Sequence, residues 1–201
     1  MYYLVDMYND KTNFIDGIDS DTCQKILNSS TIISETLEFY YLGKCVSDSF
    51  DTLIQWSYSA NPSSNYIMRN LHTAERLVRG FLFELRTCLD HMETKIKQEY
   101  GKTSEFLKVF EDSTHATYNA HPEYAFTYHL RNVSQHCQNI VHGFNSPTGI
   151  GISCNVQKLL NEYDKWKPVD KDYMINSGEN VDLLKTFSVA FQAFNEALIP
   201  V

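Results

Sequence analysis

Leu71-His72-Thr73-Ala74-Glu75-Arg76-Leu77-Val78-Arg79-Gly80-Phe81-Leu82-Phe83-Glu84-Leu85-Arg86 carries the strongest structural signal in the chain. Leu71, Ala74, Val78, Leu82, Leu85, Leu89, Met92 and Ile96 recur at steps of three and four, the period of an amphipathic helix. The pattern predicts a long helix from about Asn65 to Tyr100, ended by Gly101. A short helix is expected over 20–28, capped by Ser20 or Asp21. Thr31 to about Ser59 reads as one helix, or as two with a break near Gly43. Asn61-Pro62-Ser63-Ser64 reads as a loop. Ser104–Ser113 is predicted as a shorter helix, Thr114–Pro122 as a polar loop, and Glu123 to about Phe144 as a helix stopped by Asn145–Gly149. Asn155–Trp166 and Val181–Leu198 are the last two. The expectation is an all-α antiparallel bundle with long central helices over 19–201. Residues 1–18, with the turn-like Asn9-Asp10-Lys11, stand apart as an arm or a small hairpin.

At 201 residues the chain is long enough for one domain with a real core. Apolar residues at 43% and charged residues at 21% exclude wholesale disorder. No apolar run approaches the length of a membrane span, and the N-terminus lacks the pattern of a secretory signal, so a cytoplasmic protein is expected. A net charge of −8 disfavours non-specific coating of nucleic acid but leaves room for a local basic cleft. The five cysteines are widely spaced with no CxxC pair, as reduced thiols are.

Arg69, His72, Arg76, Arg79, Phe83, Arg86 and Asp90 share one sector of the long helix, roughly 100° wide and away from its apolar stripe. Four arginines in line on an acidic protein can form a phosphate-facing wall. The competing reading is a solvated face paired with Glu75 and Asp90. Arg131-Asn132-Val133-Ser134-Gln135-His136 is the second feature. Asn132 and His136 are four apart and lie one above the other, as do Arg131 and Gln135. Arg131 lies ~140° around the helix from His136, so its side chain must bend to share a site, or a second copy of the chain must supply the partner. Arginine holds phosphate two-pronged, histidine moves protons near neutral pH, and asparagine orients either. The set suits attack of a ribose 2′-OH on its own 3′-phosphate, which needs no metal. His115, His121, His129, His136 and His142 fall at steps of six, eight, seven and six, which is not the spacing of a zinc site. No cofactor motif is present.

Arg131–His136 resembles the R-x4–6-H motif of HEPN-domain proteins, with the polar residue after the arginine. Phe83–His91 with Lys97, Tyr100 and Gly101 is similar to the second long helix of one bacterial group of that superfamily. Tyr118–Tyr124 before Leu130 resembles that group's approach to the motif, and Leu159-Leu160 and Trp166-Lys167 resemble the group's segment on the C-terminal side of it. Val133 stands where the group has Tyr, and Phe144-Asn145-Ser146-Pro147 replaces a shorter turn. The resemblance implies an all-α homodimer with the motifs of two protomers in one cleft. It implies a metal-independent endoribonuclease of toxin or antiphage systems, with RNA as substrate and an antitoxin or sensor protein as partner. Arg131, Asn132 and His136 become the catalytic set, and Arg79, Arg86 and Asp90 the substrate-binding candidates. The tyrosine that some HEPN toxins carry two residues after the histidine is Gln138 here. The alternative is a catalytically silent interaction or nucleotide-binding module.

Overall fold

The structure, a computed structural model, describes residues 2–8, 11–60, 67–136, 139–144 and 151–198. Two compact units, 1–43 and 44–201, part at Gly43. In the first unit, β1 (Tyr2–Tyr8) and β2 (Lys11–Ile18) pair antiparallel, so the N-terminal segment is a hairpin. The register shifts between Leu4 and Val5. Asp19 accepts from the Thr22 backbone N–H at 2.8 Å and starts α1 (Ser20–Ser59). These bonds to Thr22 hold the Asp19 carboxyl below its ordinary value.

α1 runs unbroken through Asn28–Ser30 and through Gly43, where a break was expected. Thr31 and Thr36 bond back to the carbonyls of Leu27 and Ile32, which satisfies hydroxyls inside a helix. No residue of α1 is buried before Val46, followed by Leu53 and Ser57.

The second unit is an all-α helical bundle with one small sheet. α2 (Ile67–Tyr100) buries Ala74, Val78, Leu82, Leu85, Leu89, Met92 and Ile96, the stripe that its sequence predicts. Gly101 ends it at φ +93°, a conformation that suits glycine. α3 (Glu105–Ala120) starts at Ser104, whose hydroxyl caps the Leu107 N–H. It continues through Thr114–Ala120, where a polar loop was expected. Packing overrides composition there: Thr117 is buried, and the Ser113 hydroxyl donates to the Ala197 carbonyl at 2.7 Å.

α4 (Pro122–His136) buries Tyr124, Phe126, Leu130 and Val133. It stops well short of Phe144. Glu75 explains the early end: its carboxylate accepts from Ile140 N at 2.9 Å and Val141 N at 2.8 Å, so those amides point at α2 rather than along a helix. Gly143–Phe144 then forms β3, paired antiparallel with β4 (Ile152–Asn155), which pairs with β5 (Asn180–Asp182). The expected helix starts at Asn155 and Val181 are displaced by these strands. α5 (Val156–Glu162) is capped by Asn155, α6 (Pro168–Asn176) stands where the sequence predicted nothing, and α7 (Leu183–Leu198) closes the chain. The loops at 61–64 and 145–149, and position 138, lie outside the described residues.

α7 packs against α3 and α4 through Phe187, Ala190, Ala193, Phe194 and Ala197. Phe50 of α1 stacks on Phe191 at 4.7 Å, and Phe81 lies 5.1 Å from Phe187, which joins α1, α2 and α7 in one aromatic core. Cys23, Cys45, Cys88 and Cys154 are free thiols. Burial pushes the Cys88 and Cys154 thiols up to about 12, so both stay protonated and inert. No helix among the described residues is long and apolar enough to cross a membrane.

Glu75→Ala removes the acceptor of two backbone N–H groups and of the Arg79 Nε–H. It lowers stability by about 3 kcal/mol in urea unfolding; an unchanged midpoint shows that the carboxylate holds nothing. His142 gives a pH signature. Its Nδ1 accepts from Asn155 N at 2.9 Å, and burial, with Lys158 nearby, lowers its pKa from 6.5. The unfolded chain therefore binds the proton more readily. This contribution is present above pH 6.5 and fades as pH falls below it. His142→Gln flattens that acid-side loss in thermal unfolding at pH 5 against pH 7.5.

Candidate functional site

α2 and α4 run antiparallel against each other, and three contacts set their register. The Arg86 guanidinium sits 4.3 Å over the Tyr128 ring, Arg79 Nη1 donates to the Ser134 carbonyl, and Glu75 receives Ile140 and Val141. Positions fall along α2 as they rise along α4. Arg79 and Arg86 therefore lie alongside the helix that carries Arg131, Asn132 and His136, while Arg76, His72 and Arg69 extend past its end.

Within the stripe, the residues fare differently. Arg69, His72, Arg76 and Phe83 are exposed. Arg79 Nε donates to Glu75 Oε1 at 2.7 Å, and that carboxylate is only 13% exposed. Arg86 holds Asp90 with two nitrogens, at 3.0 and 2.9 Å. Arg79 thus braces the helix pair, and Arg86 and Asp90 form a fixed ion pair. The pairing with Glu75 and Asp90 that the spacing allows does form, but Arg79 and Glu75 are a packed joint rather than a solvated face.

On α4, Arg131 and Asn132 are half-buried and His136 is exposed on the last turn. Arg131 Nη1 donates to Gln135 Oε1 at 2.7 Å, while its Nε is buried with no hydrogen-bond partner among the described residues. The Arg131 carbonyl accepts from the Ser134 hydroxyl. One helix does not converge Arg131 on His136; the helical offset keeps them on different faces.

A cavity of about 540 Å³ opens among α2, α3, α4 and the residue before α6. Arg86 and Asp90 line it, beside aromatic and histidine side chains of α3 and α4. His129 forms its inner wall: its Nδ1 lies 2.7 Å from Oδ2 of Asp170, which is fully buried. The same Oδ2 accepts from Lys167 N at 2.9 Å and so caps α6. The bond to Asp170 places the His129 proton on Nδ1. The Tyr118 hydroxyl lies 3.4 Å from that nitrogen. Burial, with the Asp170 charge adding to it, pushes the Tyr118 hydroxyl up to about 12, so it stays protonated. Burial likewise raises Tyr124, whose hydroxyl is sealed from solvent with no hydrogen-bond partner among the described residues.

Sequence reasoning missed His129, Asp170, Tyr118, Tyr124 and Lys167. His129 was visible only as one of five clustered histidines. Asp170 lies far along the chain, in a helix with no periodic signature, so nothing local links the two. Comparison with family models, curated proteins and solved structures gives no match to this chain.

Asp170→Ala removes the α6 cap and the His129 partner together. It lowers stability by about 2–3 kcal/mol in urea unfolding. A loss below a few tenths of that shows that the pair is idle.

Proposed function

We propose that the chain is a metal-independent endoribonuclease of the HEPN type, acting in a toxin or antiphage setting. The observation that carries this reading is the antiparallel seating of α2 on α4. It seats the helix that carries exposed Arg69, His72 and Arg76 against the helix that carries Arg131, Asn132 and exposed His136. A cationic track beside an exposed histidine is what a phosphodiester strand needs on an acidic protein.

In this mechanism the 2′-OH attacks the adjacent phosphorus and the 5′-oxygen leaves. His136 takes the 2′-OH proton or supplies one to the leaving oxygen. Arg131 stabilises the charge that grows on the phosphoryl oxygens, and Asn132, one turn below His136, orients it or the phosphate. The products are a 2′,3′-cyclic phosphate end and a 5′-OH end. A second copy of the chain supplies the arginine that one helix holds away from its own histidine. An antitoxin or sensor protein restrains the activity.

One observation favours the rival reading of a silent module: Arg131 already donates to Gln135, as a helix-stabilising residue does.

The test is cleavage of labelled single-stranded RNA in EDTA. The wild type cleaves. His136→Ala lowers the rate at least ~100-fold, and Arg131→Lys, which keeps the charge but loses the fork, lowers it less. Equal cleavage by wild type and His136→Ala sinks the assignment.

A further inference from the structure

The first unit leaves an apolar helix face open. Ile26, Leu27, Ile33, Leu37, Tyr40 and Tyr41 of α1 are each between 44% and 59% exposed. Nothing in α1 is buried before Val46, and the first unit holds no other helix among its described residues. Cys23, Ile26, Ser30, Ile33, Leu37 and Tyr40 recur at alternating steps of three and four. They form one seam, about 100° wide, along about five turns of helix. Leu27 and Tyr41 widen it on one flank. Large apolar side chains standing in water along such a seam mark a surface that another surface covers.

Two features of the seam say what covers it. The first is its size. The six apolar side chains expose roughly 600 Å² per chain, most of the ~800 Å² that each partner buries in a standard interface. The second is that the seam complements itself. Two antiparallel copies centred between Thr31 and Ile32 set Cys23 against Tyr40, Ile26 against Leu37 and Ser30 against Ile33 of the second copy. Every layer then joins a small side chain to a larger one, or two of similar size, and the space fills evenly. A parallel pair sets Ser30 on Ser30 and Tyr40 on Tyr40, which leaves a void in one layer and crowds another. Leucine at one seam position and isoleucine at the other also disfavours two parallel strands.

We propose that residues 23–41 of α1 pair antiparallel with the same segment of a second copy, so that the chain is a homodimer joined through its N-terminal unit. The contact stands apart from the ribonuclease reading, whose residues all lie in the second unit.

The experiment is sedimentation equilibrium of the full chain. At about 100 µM the wild type sediments at twice the 23.3 kDa chain mass. Ile33→Lys and Leu37→Lys each put an unpaired charge into the seam and weaken the dimer at least ~30-fold. Ile32→Lys, at a side chain 62% exposed but off the seam, changes the dissociation constant less than ~2-fold. All three positions are exposed in the single chain, so circular dichroism shows unchanged helix content and separates a lost contact from a lost fold. The register has its own readout. Tyr40→Cys, oxidised with diamide, links two chains through the native Cys23, and adding Cys23→Ser abolishes the link. A wild type that sediments as a single chain at about 100 µM overturns the proposal. So does a dimer that survives both seam variants, or one that Ile32→Lys breaks equally well. A Tyr40→Cys link that persists after Cys23→Ser overturns it too, since only parallel helices bring residue 40 against its own copy.

Discussion

The Glu75 carboxylate is the joint on which the second unit is assembled. It sits on α2 but spends its acceptor capacity on the chain that leaves α4. A carboxylate this far from water is stable only if every oxygen is engaged, and here two amides and Arg79 engage them. Arg79 carries the link onward to the Ser134 carbonyl, inside the last turn of α4. One charge thus fixes three things: the register of α2 on α4, the end of α4 and the departure of the chain into β3. Because α4 ends at His136, that histidine stands exposed on a final turn instead of in mid-helix.

A second joint, smaller and drier, ties α6 to α4. Asp170 is completely buried and divides one oxygen between the Lys167 amide and His129. The α6 cap and the cavity wall are therefore one construction. Stacking of Phe126 on Trp166 at 5.6 Å, with Tyr173 at 5.3 Å, packs the apolar side of the same connection. The cavity owes its form to this arrangement: helices on three sides are spaced by polar joints at fixed points, so the rings between them line a space instead of collapsing into it.

Periodicity made the helices legible and joints made them stop. The α2 stripe, its end at Gly101 and the general course of α7 could be read because each depends on residues within one or two turns. The ends of α3 and α4 could not. Thr114–Ala120 is polar by composition but helical because Thr117 is buried and the Ser113 hydroxyl bonds the Ala197 carbonyl. The pattern after His136 continues as helix until Glu75, on another element, claims the amides of Ile140 and Val141. The motif residues were legible as types and spacings; their surroundings were not. Arg79 looked like one member of a cationic stripe, and only its distance to Glu75 and Ser134 shows that it is a brace. His129 and Asp170 meet through tertiary structure alone, which no local signal encodes.

The division between bracing and free cations tracks position along the α2–α4 seam. Where the helices are in contact, at Arg79 and Arg86, each half-buried guanidinium is held by a carboxylate and a neighbour on α4. Towards the start of α2 there is no such demand on Arg69 and Arg76, and they remain exposed. The cations left exposed therefore lie towards one end of the seam, the end at which α4 stops at His136. Among the described residues, Arg69 and Arg76 at that end enter no ion pair.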